Sequence, residues 1–178
     1  NYLTRLADCD DKICAITAAM KQGTGLPPFC SKHRNRFFDV GIAEQHAVTF
    51  AAGLASKGYI PVFAVYATFL QRAYDQILHD SAIERLHVVL AVDRAGLVGD
   101  DGETHQGVYD IAYCLTMPYV EIYSPASKGE LEEMLKMAVE GDVPAAVRYG
   151  KGTLPDRVYP AVEYGKWIEI KPIAKVTV

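Results

Sequence analysis

The chain has 178 residues, half of them hydrophobic, and a formal net charge of −4; this is enough apolar material for one domain with a sizeable core. The acidic balance gives no basic footprint for nucleic acid, and no apolar run approaches the ~20 residues that cross a bilayer. No secretory leader is visible, which favours a cytoplasmic protein, and because the chain opens on Asn1 rather than Met an earlier segment is expected.

Six short apolar runs are expected as strands: Ile13–Thr17, Phe37–Val40, Ile60–Tyr66, Val88–Asp93, Tyr119–Ser124 and Ala145–Tyr149. Helical patterns lie between them at Ala43–Lys57, Thr68–Arg85 and Lys128–Glu140, with a shorter one near Tyr109–Leu115. In the first of these, Ala43, Ala47, Phe50, Ala51 and Leu54 recur at helical spacing and define one buried face. Gly58 stops it. Apolar strands alternating with helices predict an α/β fold, a doubly wound, mostly parallel six-stranded sheet with helices on both faces. The domain is expected over residues 1–152. From 153 to 178 prolines at 155, 160 and 172 and a strand-like piece at 164–170 look like an exit segment towards a further C-terminal domain. Cys9, Cys14, Cys30 and Cys114 form no CxxC pair and no zinc spacing, so reduced thiols are expected, with Cys14 buried in its strand.

Open α/β sheets bind ligands beyond the carboxyl ends of their strands. In this chain those ends carry Gly23-Thr24-Gly25, Gly41 with Glu44, then Tyr66 to Arg72, then Arg94 to His105, and finally Arg148 with Lys151. Taken singly, each has an ordinary explanation. Glu44 is a helix-start acid, worth about 0.3–1 kcal/mol against the macrodipole. Residues 66–76 (YATFLQRAYDQ) make an amphipathic helix that packs Leu70, Ala73 and Ile77 on the sheet, with Phe69 nearer the rim. Residues 93–107 (DRAGLVGDDGETHQG) form a glycine-rich loop whose Asp100, Asp101, Glu103 and His105 fit no metal loop of recognised spacing. His46 lies beside Glu44, whereas His33, His79 and His87 have no partner at useful sequence spacing and are expected to be structural or exposed.

Together the segments say more. Residues 36–54 (RFFDVGIAEQHAVTFAAGL), 66–76, 93–107 and 147–152 (VRYGKG) resemble the pyrimidine-binding domain of thiamine diphosphate enzymes of the transketolase group, and within it the synthases of 1-deoxy-D-xylulose 5-phosphate. The resemblance implies that Glu44 bonds the aminopyrimidine ring nitrogen and is catalytic, that Phe69 stacks on that ring, and that Arg72 also lies at the cofactor. It further implies that Tyr66, Arg94, Asp101, His105 and Lys151 face the substrates, pyruvate and glyceraldehyde 3-phosphate, with His105 moving a proton. Lys151 stands where the group has arginine and Gly150 where it has proline; lysine keeps the charge but loses the bidentate fork, and Arg148 is the alternative phosphate contact. Mg²⁺ and the cofactor's diphosphate are expected on a separate N-terminal domain with a GDG…N pattern, absent from this sequence, in a homodimer. Two other readings are the small subunit of a split transketolase or a 2-oxo acid dehydrogenase-type enzyme, and a non-catalytic assembly module of the same fold.

Overall fold

The computed structural model describes residues 2–153 and 161–166. Its strands are β1 (Ile13–Thr17), β2 (Phe37–Asp39), β3 (Ile60–Tyr66), β4 (Val89–Asp93), β5 (Glu121–Tyr123) and β6 (Ala145–Arg148). They form one sheet in the order β2-β1-β3-β4-β6-β5, and every pairing is parallel. The central strands are apolar at nearly every position because both of their faces are covered. Ile13, Ala15, Val62, Ala64, Val89, Ala91 and Val147 point to one side, and Ile16, Phe63, Val65, Leu90, Val92 and Ala146 to the other.

Helices fill both layers. On the first side lie α1 (Tyr2–Cys9), α2 (Pro27–Lys32) and, late in the chain, a helix over Lys128–Glu140. On the second lie α3 (Glu44–Ala55), α4 (Ala67–Leu70) and α6 (Asp110–Cys114), with the short α5 (Tyr74–Gln76) between the last two. The helix over Lys128–Glu140, α7, opens on a cap: Ser127 Oγ accepts from Glu130 N, and Glu130 Oε2 accepts from Ala126 N. Gly58, at φ +81°, closes α3, with Tyr59 N bonding Leu54 O and Gly58 N bonding Ala55 O as in a Schellman motif.

One expectation changes, and two helices join those expected. The long helix over 68–85 is instead α4, a 3₁₀ turn at Gln71–Ala73, α5 and a π-helical turn at Ile77–Ala82. Through these changes of winding Ala67, Leu70, Ala73, Ile77, Ser81 and Ala82 all stay buried. Helices α1 and α2 precede elements that the apolar spacing reveals. α1 is held from outside itself, by Arg36, whose guanidinium donates to the carbonyls of Ala7, Asp10 and Ile13. The expected exit segment lies mostly outside the described residues; within them Tyr164 and Gly165 form a turn, and Tyr164 Oη donates to Glu121 Oε1 on edge strand β5. All four cysteines are free, with Cys14 and Cys114 buried.

The chain leaves β1 towards β2, then returns across β1 to β3. It later passes from β4 to β5 and comes back to β6. Strand order therefore reverses twice, between β1 and β3 and between β4 and β6, and a crevice opens at each reversal beyond the carboxyl ends.

Candidate active site at the carboxyl rim

Glu44 is the first residue of α3 and is 2% exposed. Burying a charged carboxylate demands a partner. Arg72 is that partner, donating from Nη1 to Glu44 Oε1 over 2.8 Å. The second oxygen, Oε2, receives no hydrogen bond among the described residues. Arg72 leaves the 3₁₀ turn after α4, and its guanidinium carbon lies 4.7 Å from the centre of the Phe69 ring. Phe69 in turn stacks on Tyr66 (centroids 5.9 Å apart, 22° between planes) and meets His105 edge-on (5.3 Å, 79°).

The contacts continue without a break. Arg94 sits over the Tyr66 ring at 3.7 Å. Its Nε donates to Asp101 Oδ2 over 3.2 Å and its Nη1 to Gly23 O over 3.3 Å, and Asp93 Oδ2 lies 3.2 Å from Nη1. Asp101 also accepts from Lys151 Nζ at 2.5 Å. All eight residues singled out in the sequence (Glu44, Tyr66, Phe69, Arg72, Arg94, Asp101, His105 and Lys151) thus form one connected chain across the ends of β3, β4 and β6 and the start of α3.

Backbone geometry makes that chain possible. Arg94 adopts φ +59°, which turns the peptide sharply as it leaves β4. Gly96 and Gly107 then hydrogen-bond each other in both directions, closing the 97–106 loop at its base. Gly107 is required there: a Cβ would lie 2.3 Å from Arg94 O and 2.6 Å from Ala67 Cβ. Gln106 fixes the interior, accepting from Val98 N and donating to Gly102 O. Thr68 Oγ1 donates to Thr104 O over 2.7 Å, and Thr104 Oγ1 lies 2.9 Å from His105 Nδ1. On the β1 side, Gly23 leaves room for Tyr66; a Cβ there would overlap the tyrosine hydroxyl at 1.6 Å. Sequence reasoning missed Asp93, Thr104 and the roles of Gly23 and Gly107. The DR pair at the strand end was the available signal for Asp93, and the threonines had none.

Two clefts flank the chain. One, about 620 Å³, is lined by Phe69, Arg72, Leu97, Thr104 and Tyr109. The other, about 330 Å³, is lined by Gly23, Arg94, Tyr149 and Lys151. Charges are balanced along the rim. The hydrogen bond from Lys151 is the largest influence holding Asp101 below the usual carboxylate range. Burial raises Asp93 in spite of the adjacent Arg94, and burial beside Asp93 raises the Tyr149 phenol.

Other residues fall elsewhere. Arg148 bonds Asp110 through Nε (2.7 Å) and Nη2, and donates to Ser124 through Nη1, so it is spent within the fold. His46 stacks on Phe50 in a separate cleft with Arg34 and Phe38 and makes no contact with Glu44. His33 pairs with Asp8, His79 with Asp75, and His87 with the carbonyl of Ala138. Among the described residues no three His, Cys, Asp or Glu side chains converge to hold a metal ion, and no helix is long and apolar enough to cross a membrane.

Comparison with known proteins agrees with this architecture. Residues 1–157 match the family described as transketolase, pyrimidine binding domain. The 1-deoxy-D-xylulose-5-phosphate synthase of Clostridium acetobutylicum is 56% identical over 173 residues, covering 95% of this chain and 28% of that protein. The enzyme of the same name from Caldanaerobacter subterraneus is 60% identical over 150 residues, covering 84% and 24%. The chain therefore spans only about a quarter of these relatives' length. Among solved structures, a split gene transketolase in an inactive beta4 tetramer superposes with a TM-score of 0.79 at 29% identity, over 92% of this chain and 53% of that one. The transketolase of Leishmania mexicana, with a TM-score of 0.73 at 22% identity over 82% of this chain and 23% of that one, shares the fold. By its parallel sheet and by the sequence of its first 157 residues, the chain belongs to the transketolase pyrimidine-binding domain family.

Proposed function

We propose that this domain supplies the pyrimidine half of a thiamine diphosphate site. The protein that carries it is a transferase that condenses pyruvate with glyceraldehyde 3-phosphate, releasing carbon dioxide and forming 1-deoxy-D-xylulose 5-phosphate for isoprenoid, thiamine and pyridoxal synthesis. The observation that carries this reading is the burial of Glu44 at the head of a contact chain that runs to Lys151. A scaffold of the same fold has no use for a buried carboxylate aimed at a ligand rim.

The residues fit the ring end of the cofactor. Glu44 Oε2, without a hydrogen bond among the described residues, is suited to share a proton with a ring nitrogen. Phe69 supplies an aromatic face. When bound, the cofactor contributes a nucleophilic thiazolium carbon. The chain's own residues do the rest. His105 has Nδ1 beside Thr104, which leaves Nε2 to move a proton at the acceptor oxygen. Lys151 and the Nη2 edge of Arg94 bind the acceptor phosphate, with Asp101 holding both cations in place. Tyr66 and Arg72 wall the cleft. The diphosphate and Mg²⁺ belong to a further N-terminal domain, and a C-terminal domain completes a cytoplasmic homodimer. A second reading, the small subunit of a split enzyme, is supported by the likeness to the split gene transketolase. A diphosphate-binding domain upstream in the same reading frame favours the synthase, and one in a separate frame favours the split enzyme.

In the full-length enzyme, Glu44→Ala is expected to slow exchange of the thiazolium carbon-2 proton into deuterium oxide by about 10²- to 10⁴-fold. Near wild-type exchange, followed by NMR, would remove Glu44 from this role.

A further inference from the structure

Among the described residues, Glu44 and Arg72 form the one ion pair on the rim in which a nearly buried carboxylate faces a half-exposed cation: their side chains are 3% and 45% exposed. The other cations there, Arg94 and Lys151, converge on Asp101, whose side chain is 22% exposed. Arg72 binds a single oxygen of Glu44, Oε1, and Oε2 receives no hydrogen bond among the described residues. It is itself held against the Phe69 ring, a cation–π contact that fixes a long side chain.

From this geometry we infer that Arg72 is a positioning residue for Glu44, which selects Oε2 as the oxygen presented to the pyrimidine ring and sets a positive charge behind it. The inference rests on the reading of Glu44 as the pyrimidine contact. Its physical basis is twofold. A carboxylate tethered at one oxygen loses rotation about its last torsion, so the free oxygen points in one direction. A guanidinium 2.8 Å from the tethered oxygen also sets a positive charge directly behind the carboxylate, as in a charge-assisted hydrogen bond. Arg72 touches Phe69 as well, so one side chain sets the relative placement of the proton-sharing group and the stacking face. An ammonium in its place would keep the charge and lose the flat contact.

The test measures binding, not turnover. In the full-length enzyme with Mg²⁺, calorimetry gives the dissociation constants of thiamine diphosphate and of an analogue whose ring nitrogen is replaced by CH. Their ratio reports the Glu44-to-nitrogen hydrogen bond alone. The wild type is expected to prefer the natural cofactor by about ten-fold or more, as a charge-assisted hydrogen bond would give. In Arg72→Met that preference should fall by about ten-fold, and in Arg72→Lys it should be partly restored. Equal weakening towards both ligands would reduce Arg72 to a structural residue and overturn the inference. Tighter binding of both by Arg72→Met would also overturn it, because Arg72 would then be occupying the ring's place. A wild type with no preference would instead refute the reading of Glu44 on which the inference rests. Arg72→Gln, which keeps a neutral donor, separates charge from tethering if Arg72→Met folds poorly: a preference lost in Gln and restored in Lys supports the inference, whereas one left at the wild-type level in Gln overturns the role of charge.

Discussion

Lys151 and Asp101 meet at 2.5 Å although they are 50 residues apart in sequence, so the end of β6 is tied to the middle of the loop that follows β4. The pair holds the cation at the mouth of the smaller cleft and leaves it available to an anion that competes for it.

Replacing Lys151 by Ala is therefore expected to raise the apparent KM for the phosphorylated acceptor by roughly 10- to 150-fold and that for pyruvate far less, given about 1.5–3 kcal/mol for a charged hydrogen bond. Lys151→Arg should lower it below the wild-type value. Steady-state kinetics on the full-length enzyme decide the matter, and equal effects on the two substrates would make Lys151 structural.

The same pair has a pH signature. Asp101 is depressed below 3.8, chiefly by the hydrogen bond from Lys151. A depressed carboxyl contributes fully above its unfolded value and loses that contribution as pH falls through its folded one. The tie between β6 and the loop should thus persist through the range in which an ordinary aspartate takes up its proton and release only at more acid pH. Carbon-13 NMR of the Asp101 carboxyl checks this, with the midpoint expected to move up in Lys151→Ala; an unmoved midpoint would contradict the assignment.

The Arg148–Asp110 pair is buried, with side chains 16% and 4% exposed. Removing one partner leaves the other charge stranded, so Arg148→Met or Asp110→Ala is expected to cost about 3–5 kcal/mol, whereas the double change to apolar residues should cost less than the two singles combined. Chemical denaturation measures this directly. Full additivity would show that the two side chains do not interact.

Gly107→Ala puts a methyl within 2.3 Å of a backbone oxygen, so the backbone itself must move. Overpacking of this kind costs about 1–3 kcal/mol. Because Gly107 closes the loop bearing His105, the variant should also lose the fixed His105–Phe69 contact. A thermal scan with NMR of the His105 ring follows both, and a melting temperature and spectrum like the wild type's would show that the close approach is relieved at no cost.

Much of this was legible in the amino-acid order. Strands apolar on both faces require cover on both faces, so residues such as Val62 to Val65 announce a parallel sheet directly, and four motifs at strand ends announce a rim. What could not be read were consequences of distance. Nothing near Arg36 in the sequence says that it clasps α1, and nothing near Arg148 says that Asp110 neutralises it. The helix predicted over 68–85 failed for a related reason. Its buried residues Ala67, Leu70, Ala73, Ile77 and Ser81 recur every three or four residues, as an α-helix would also give, and only the sheet beneath it sets the local winding. Phe69 and Arg72, three residues apart, lie on one helical face and pack on each other, a contact that helical spacing permits and the structure makes specific.

The paired hydrogen bonds between Gly96 and Gly107 have a consequence for how such a protein changes over time. They make residues 97–106 a loop with a single narrow neck, attached to the sheet but not woven into it. Its exposed acids Asp100 and Glu103 add to the charge that an incoming molecule meets, and replacing them need not disturb the ladder of β4. Selectivity is thereby housed in a part that can be exchanged, while the durability of the fold is vested in a core to which the loop adds only Val98.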